Sequence, residues 1–200
     1  MFQGLKPHHR RLLEKLVNIY FEKDGRIPVR VLSLFKFAED LIGVKLLAEP
    51  HNFPNEGMGL LAYKGRNKLF VYYGLNDSRR ERRFTLAHEL AHAFSWTSEY
   101  TEKFDKCCVN NGYNAEPYIL PFLYGKAEKI NEEICDQVAM YLLCPLVEVK
   151  KVIAMEAWRL SQLDMFDLKG GFVVCKLLSD RFDVSTGFIK KYLEDNEISF

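Results

Sequence analysis

Residues 83–94 read RFTLAHELAHAF, and this stretch determines how the rest of the chain is interpreted. It contains the HExxH pattern, in which His88 and His92 lie four positions apart and Glu89 follows the first histidine. Residues four apart share one face of a helix, so both imidazoles can bind one ion. Glu89 lies about 100° round the helix, where it can reach a ligand of that ion without binding it. The arrangement is typical of a zinc-dependent peptidase in which the glutamate is the general base.

The residues around the two histidines are apolar or small, which predicts a buried helix. They are Leu86, Ala87, Leu90, Ala91, Ala93 and Phe94. A buried histidine needs a partner for its ring nitrogens. Two core histidines satisfied by carboxylates or carbonyls are the alternative to a metal site, and the motif favours the metal.

A catalytic zinc ion takes three protein ligands. No histidine follows His92, so the third ligand must be a carboxylate or a thiolate. Glu132 is the best candidate because it borders the apolar face of a predicted helix. Asp136, one turn later, can accept the free ring N–H of a ligand histidine. In the alternative interpretation Asn131 caps this helix, and Glu132 and Glu133 only form its solvated first turn. The weaker candidates for the third ligand are Glu128, Glu116 and Asp105.

Two segments carry a resemblance to a known family. Residues 83–92 (RFTLAHELAH) and 132–145 (EEICDQVAMYLLCP) resemble the ImmA/IrrE family of bacterial metallopeptidases. Three further stretches are similar to that family, at residues 27–44, 70–76 and 177–185. Ala91 stands where the family often has Gly, and Cys144 where it often has Met. Both changes fall at apolar positions that tolerate a change of volume.

The resemblance implies a zincin-like fold in which zinc, or alternatively manganese, is held by His88, His92 and Glu132. It also implies an endopeptidase whose protein substrate is a helix-turn-helix transcriptional repressor. Such repressors are often encoded beside the peptidase on mobile elements or in stress-response operons, and cleavage relieves repression. One of the tyrosines at 100, 113, 118 and 124 is a candidate for stabilising the oxyanion.

Composition predicts a cytoplasmic protein. Two hundred residues with 48% hydrophobic content suffice for one core. No apolar run reaches the eighteen or so residues that a membrane span needs, and the basic N-terminus lacks a secretion signal. Cys135, Cys144 and Cys175 are expected to be buried thiols of a reducing compartment. Cys107 and Cys108 are interpreted as loop thiols, with redox sensitivity as the alternative.

Hydrophobic periodicity predicts a single α+β domain over residues 1–200, mostly helical, with a small three-stranded sheet beside the HExxH helix. It divides into N-terminal helices (1–43), the sheet and metal-binding helices (44–160), and a C-terminal helical segment (161–200). The helices, besides the two that carry the metal motifs, are predicted at residues 7–21, 29–41, 146–160, 172–182 and 185–194, and the strands at 44–48, 59–63 and 68–73. An aromatic, turn-rich insertion at 95–130 either lines the cleft or packs on itself at the surface.

Three interpretations concern binding. The strand at 68–73 is a candidate for pairing with an extended substrate, unless it is an interior strand. Residues 177–193 have the pattern of a helix-turn-helix pair and residues 79–83 (RRERR) form a basic cluster, so a DNA-binding regulator is the competing function. The net charge of only +1 makes direct nucleic-acid binding unlikely. A metal-binding protein without proteolytic activity is the third possibility, and the sequence does not determine the oligomeric state.

Overall fold

The computed structural model of the chain describes residues 17, 26–42, 44–54, 58–63, 68–93, 132–161 and 168–198. Within these residues the fold is α+β, with one three-stranded sheet, as predicted. In chain order the elements are α1 Val31–Ile42, β1 Lys45–His51, β2 Gly59–Tyr63, β3 Lys68–Gly74, α2 Arg79–Ala93, α3 Glu132–Leu143, α4 Leu146–Ser161, α5 Leu168–Phe182 and α6 Thr186–Asp195.

The sheet has the order β1-β3-β2, with β3 in the middle. β3 pairs with β1 in parallel and with β2 in the antiparallel direction. Leu69 and Val71 of β3 are fully buried, as expected for a central strand with one face on the core. The hypothesis that residues 68–73 pair with a substrate is therefore wrong, because both edges of this strand are already hydrogen-bonded. The order of strands depends on tertiary packing, which the local sequence pattern does not contain.

A short turn connects β3 to α2, the helix that carries HExxH. The Asp77 carboxylate accepts a hydrogen bond from the Gly74 amide at 3.1 Å. Ser78 and Glu81 then form a capping box: the Glu81 carboxylate accepts from the Ser78 amide at 2.8 Å, and the Ser78 hydroxyl accepts from the Glu81 amide at 3.3 Å. This S-x-x-E signature fixes the start of α2 immediately after the sheet.

The hydrophobic core is one cluster of buried side chains to which the sheet and all six described helices contribute. The buried face of α1 follows helical spacing, with Val31, Leu34, Phe35 and Ala38. In α3, every residue from 138 to 143 is buried, which makes it a central helix rather than an amphipathic surface helix. Each large apolar side chain buried in this way contributes about 1.5–3 kcal/mol. The two helices that bear the metal motifs are thus among the most deeply packed elements described.

The turn between α5 and α6 is tied to the start of α2 by charged side chains. Asp183 has a φ of 55°, the left-handed conformation that often ends a helix. Its carboxylate lies 2.9 Å from Arg79, 3.6 Å from Arg80 and 3.4 Å from Arg83. Arg83 is also a donor to the carbonyl oxygens of Val29, Phe182 and Asp183, at 2.8, 3.2 and 3.1 Å. These three arginines of the basic cluster are therefore engaged within the chain.

Several predictions fall outside the described residues. They are the insertion at 95–130 with its tyrosines, Cys107, Cys108 and the alternative ligands Glu128, Glu116 and Asp105. Of the helix predicted at 7–21 only Val17 is described, and it is helical and buried. Among the described thiols Cys135 and Cys144 are buried as expected, whereas Cys175 is partly exposed and its predicted burial is wrong. None of the described helices combines the length and apolar character needed to cross a membrane.

Candidate metal centre

The two motif helices bring the predicted site residues into one cluster. α2 supplies His88 and His92 from consecutive turns of the same face, and α3 supplies Glu132 and Asp136 from its first turn and the start of its second. His92 is 6% exposed, and the His88 side chain is 15% exposed. The Glu132 side chain is 73% exposed, yet its carboxylate reaches both rings.

Three donor atoms form a small triangle. The Nε2 atoms of His88 and His92 lie 3.1 Å apart. Glu132 Oε2 lies 2.9 Å from the first of these nitrogens and 3.4 Å from the second. In tetrahedral zinc sites with ligand bonds of about 2.0–2.1 Å, neighbouring ligand atoms are about 3.3 Å apart. The observed triangle therefore has the size that a tetrahedral zinc ion requires of three of its ligands.

The chemistry of the donor set also fits a cation. Two ring nitrogens that face each other at 3.1 Å need either a shared proton or a positive ion between them. The adjacent Glu132 carboxylate adds a negative charge at the same point. His88, Glu89 and His92 form a group whose ligand atoms all lie within 4.8 Å of one another, and this group could hold a metal ion.

Glu89 and Glu132 occupy different positions in the cluster. Glu132 Oε2 contacts both ring nitrogens, which is the position of a third ligand. Glu89 is 6% exposed and belongs to the same cluster at distances of up to 4.8 Å. Burial raises the pKa of Glu89 to about 7, with His88 opposing and Glu132 reinforcing the shift. In the metal-free protein this carboxyl group can therefore exchange a proton near neutral pH, as a general base must.

The outer nitrogens of the two imidazoles face two neighbouring residues of α3. His88 Nδ1 lies 2.9 Å from Asp136 Oδ1, the contact that orients a metal-binding histidine. Asp136 is in turn 3.5 Å from the Lys191 ammonium group of α6. His92 Nδ1 lies 3.5 Å from the Cys135 sulfur. This second contact was not predicted from the sequence, although Cys135 lies three positions after Glu132 and so shares its helix face.

Charge and burial shift the pKa values of the histidines in opposite directions. Burial lowers the pKa of His88, but Asp136, Glu89 and Glu132 outweigh it and the net shift is upward. Burial and the neighbouring His88 lower the pKa of His92 to about 4. Burial also raises the pKa of Asp136, but the contacts with His88 and Lys191 leave it below its usual value. His92 is thus neutral at physiological pH, as a metal ligand must be.

The edge strand β2 passes directly over Glu89. A Cβ atom added at Gly59, the first residue of β2, would collide with the Glu89 carboxylate. It would also lie 2.8 Å from Glu89 Cγ and 2.7 Å from Thr85 Cγ2, distances that real Cβ contacts essentially never show. Only glycine lets the backbone of β2 come this close to the helix. No sequence pattern marks Gly59, because the close approach arises only in the folded chain.

Comparisons with known proteins establish the fold but no family. No protein-family model matches the chain, and no curated protein matches it either. Among solved structures the chain is similar to one described as a Mycobacterium tuberculosis transcriptional regulator, with a TM-score of 0.50 and 15% sequence identity. The match covers 92% of this chain and 46% of that chain, so this chain spans less than half the length of its neighbour. At this level of identity the likeness concerns the fold alone.

Proposed function

We propose that the protein is a zinc-dependent endopeptidase. The observation that carries the proposal is the triangle of His88 Nε2, His92 Nε2 and Glu132 Oε2, with edges of 2.9, 3.1 and 3.4 Å, beside the buried carboxyl group of Glu89. Three ligands leave a fourth coordination position open, which distinguishes a catalytic zinc site from a structural one. A purely structural site would have no use for a buried, proton-exchanging glutamate at this point.

The chain's own residues divide the chemistry between them. A bound zinc ion would polarise the scissile carbonyl and activate a water molecule for attack. Glu89 takes the proton from the attacking water and passes it to the leaving amine. Asp136 holds the His88 ring so that Nε2 faces the ion.

The free edge of β2 is the proposed docking strand for the substrate. Within the described part of the chain β2 pairs only with β3, so its other edge can add an extended peptide through main-chain hydrogen bonds. Gly59 at its start lies against Glu89, and its neighbours Met58 and Leu60 are 39% and 40% exposed. A peptide added to this edge would therefore run past the general base with apolar side chains beside it.

The substrate class follows from the resemblance to the ImmA/IrrE family: a helix-turn-helix repressor encoded beside the gene. The test is to mix the zinc-loaded protein with that repressor and look for a discrete cut by mass spectrometry. Glu89→Gln should reduce cleavage by about 10²- to 10⁴-fold while keeping zinc. Glu133→Gln, the same substitution at the exposed neighbour of Glu132, is the matched control and should cleave like the parent. Full activity in Glu89→Gln would contradict the assignment of the base.

A regulator without proteolytic activity is the second candidate, because the structural neighbour with a similar fold is described as a transcriptional regulator. Two observations oppose a DNA-binding version. Arg79, Arg80 and Arg83 are paired with carboxylates of the chain itself. The α6 helix buries Phe188, Ile189, Tyr192 and Leu193, and its exposed positions carry both Lys190 and Glu194. Binding to random-sequence duplex that weakens with added salt would support this candidate, and no binding at low salt would reject it.

A further inference from the structure

The two histidines of the candidate metal centre differ in what lies behind them. His88 Nδ1 faces the carboxylate of Asp136 at 2.9 Å, whereas His92 Nδ1 faces the sulfur of Cys135 at 3.5 Å. Asp136 and Cys135 are consecutive residues of α3, the helix that also supplies Glu132. One turn of α3 thus provides a metal ligand and a partner for each imidazole.

Cys135 has the position and the chemistry of a hydrogen-bond acceptor. It is 3% exposed, and 3.5 Å is a normal distance for an N–H group that donates to sulfur. A histidine that binds a metal through Nε2 carries its proton on Nδ1, and that proton needs an acceptor in a buried site. A thiol sulfur accepts hydrogen bonds only weakly, so this contact is weaker than the one between His88 and Asp136.

We propose that Cys135 is the positioning residue of His92. The inference rests on the proposed zinc site: the thiol sulfur accepts the Nδ1 proton of His92, fixes its tautomer, and holds Nε2 toward Glu132 and His88. Because a neutral thiol is a weaker acceptor than a carboxylate, His92 is the less electron-rich of the two imidazole ligands. The ion is therefore held by one carboxylate-backed and one thiol-backed histidine.

The test measures zinc binding and not cleavage, so it can fail while the proposed peptidase activity stands. Zinc affinity is obtained by competition with a chelator for the parent, Cys135→Val, Cys135→Ala and Cys135→Ser. We expect the Val and Ala variants to bind zinc about 10- to 100-fold more weakly. Cys135→Ser keeps an acceptor and should bind more tightly than both.

Cys144→Ala is the matched control, because Cys144 is fully buried in the same core but lies in the link between α3 and α4, outside the metal centre. It should lower stability without changing zinc affinity. The absorption spectrum of the cobalt-loaded protein supplies an independent measure, since its visible bands should change in Cys135→Val and stay unchanged in Cys144→Ala.

Three results would overturn the inference. The first is a Cys135→Val variant that binds zinc as tightly as the parent. The second is a Cys135→Ser variant whose zinc affinity is as low as that of Cys135→Ala, which would mean that packing and not the hydrogen-bond acceptor determines zinc affinity. The third is Cys144→Ala weakening zinc binding as much as Cys135→Ala. A parent that binds no zinc at all would instead remove the proposed metal site itself.

Discussion

The two halves of α2 differ in their burial and in their contacts. The first half, residues 79–83, is charged and partly exposed, and its arginines contact the turn between α5 and α6. The second half, residues 85–93, is buried except for His88 and carries the candidate metal ligands. The first half thereby anchors the helix to the C-terminal segment, so that the second half can present its two imidazoles in fixed positions. If this division is correct, substitutions in the two halves should have separable effects.

The largest effect on zinc affinity is expected at Glu132, the candidate ligand that α3 places beside the two histidines of α2. Glu132→Ala removes one of three donor atoms, so zinc affinity should fall by more than the factor of about 100 that outer partners contribute. Because the Glu132 side chain is 73% exposed, the free energy of unfolding of the zinc-free protein should hardly change. Zinc competition and denaturant unfolding check the two statements. Glu133→Ala is the control, and an equal loss of affinity there would contradict the ligand assignment.

Substitutions in the first half of α2 should lower the stability of the protein and leave its zinc affinity unchanged. Arg83→Ala removes the donor to three carbonyl oxygens and leaves them unpaired, which should lower the free energy of unfolding by about 3 kcal/mol. Zinc affinity of the folded variant should stay near that of the parent. Arg79→Ala is the control: this side chain is 77% exposed, so its loss should cost less than about 1 kcal/mol. Equal destabilisation by both variants would show that the anchor does not depend on Arg83.

Because the Glu89 carboxyl group is buried, the stability of the zinc-free protein should depend on pH. Its ordinary pKa is 4.5 and burial raises it to about 7, so the folded protein holds this proton more tightly than the unfolded chain. Stability of the zinc-free protein is therefore lost as the pH rises through this window, by up to about 3 kcal/mol. Glu89→Gln removes the titration, and its stability advantage over the parent should grow from pH 5 to pH 8.5 in denaturant unfolding. An advantage that shrinks with pH would refute this account.

The smallest expected effect is at Gly59 and tests whether cleavage depends on the close packing of β2 against Glu89 in the second half of α2. Gly59→Ala forces Glu89 or the strand to move, and a displacement of about 1 Å at a catalytic group can reduce turnover by up to about 100-fold. We expect at least a tenfold loss of cleavage with zinc affinity unchanged. Gly187→Ala is the control, because a Cβ there meets nothing within 4 Å. Unimpaired cleavage in Gly59→Ala would mean that Glu89 needs no glycine above it.

Local patterns in the sequence predicted more of the centre than of its surroundings. The HExxH spacing and the Glu132–Asp136 spacing depend only on helical periodicity, and both pairs lie in one cluster in the structure. Hydrophobic periodicity also predicted most of the helices and strands. The spacing of Ser78 and Glu81 is enough to predict their capping box. Strand order, the approach of Gly59 to Glu89 and the contact of Cys135 with His92 all depend on tertiary packing. Helical spacing places Cys135 on the face of Glu132, but no periodicity encodes which residue of α2 it contacts, and none encodes the other two features.

The exposure of Glu132 determines the route by which an ion would bind and dissociate. The side chains of His88 and His92 are 15% and 8% exposed and that of Glu132 is 73% exposed, so this carboxylate is the movable side of the candidate site. Rotating that one side chain outward would open the candidate site without moving any buried group among the described residues. Metal exchange should therefore proceed by rotation of a single surface glutamate and not by opening of the fold.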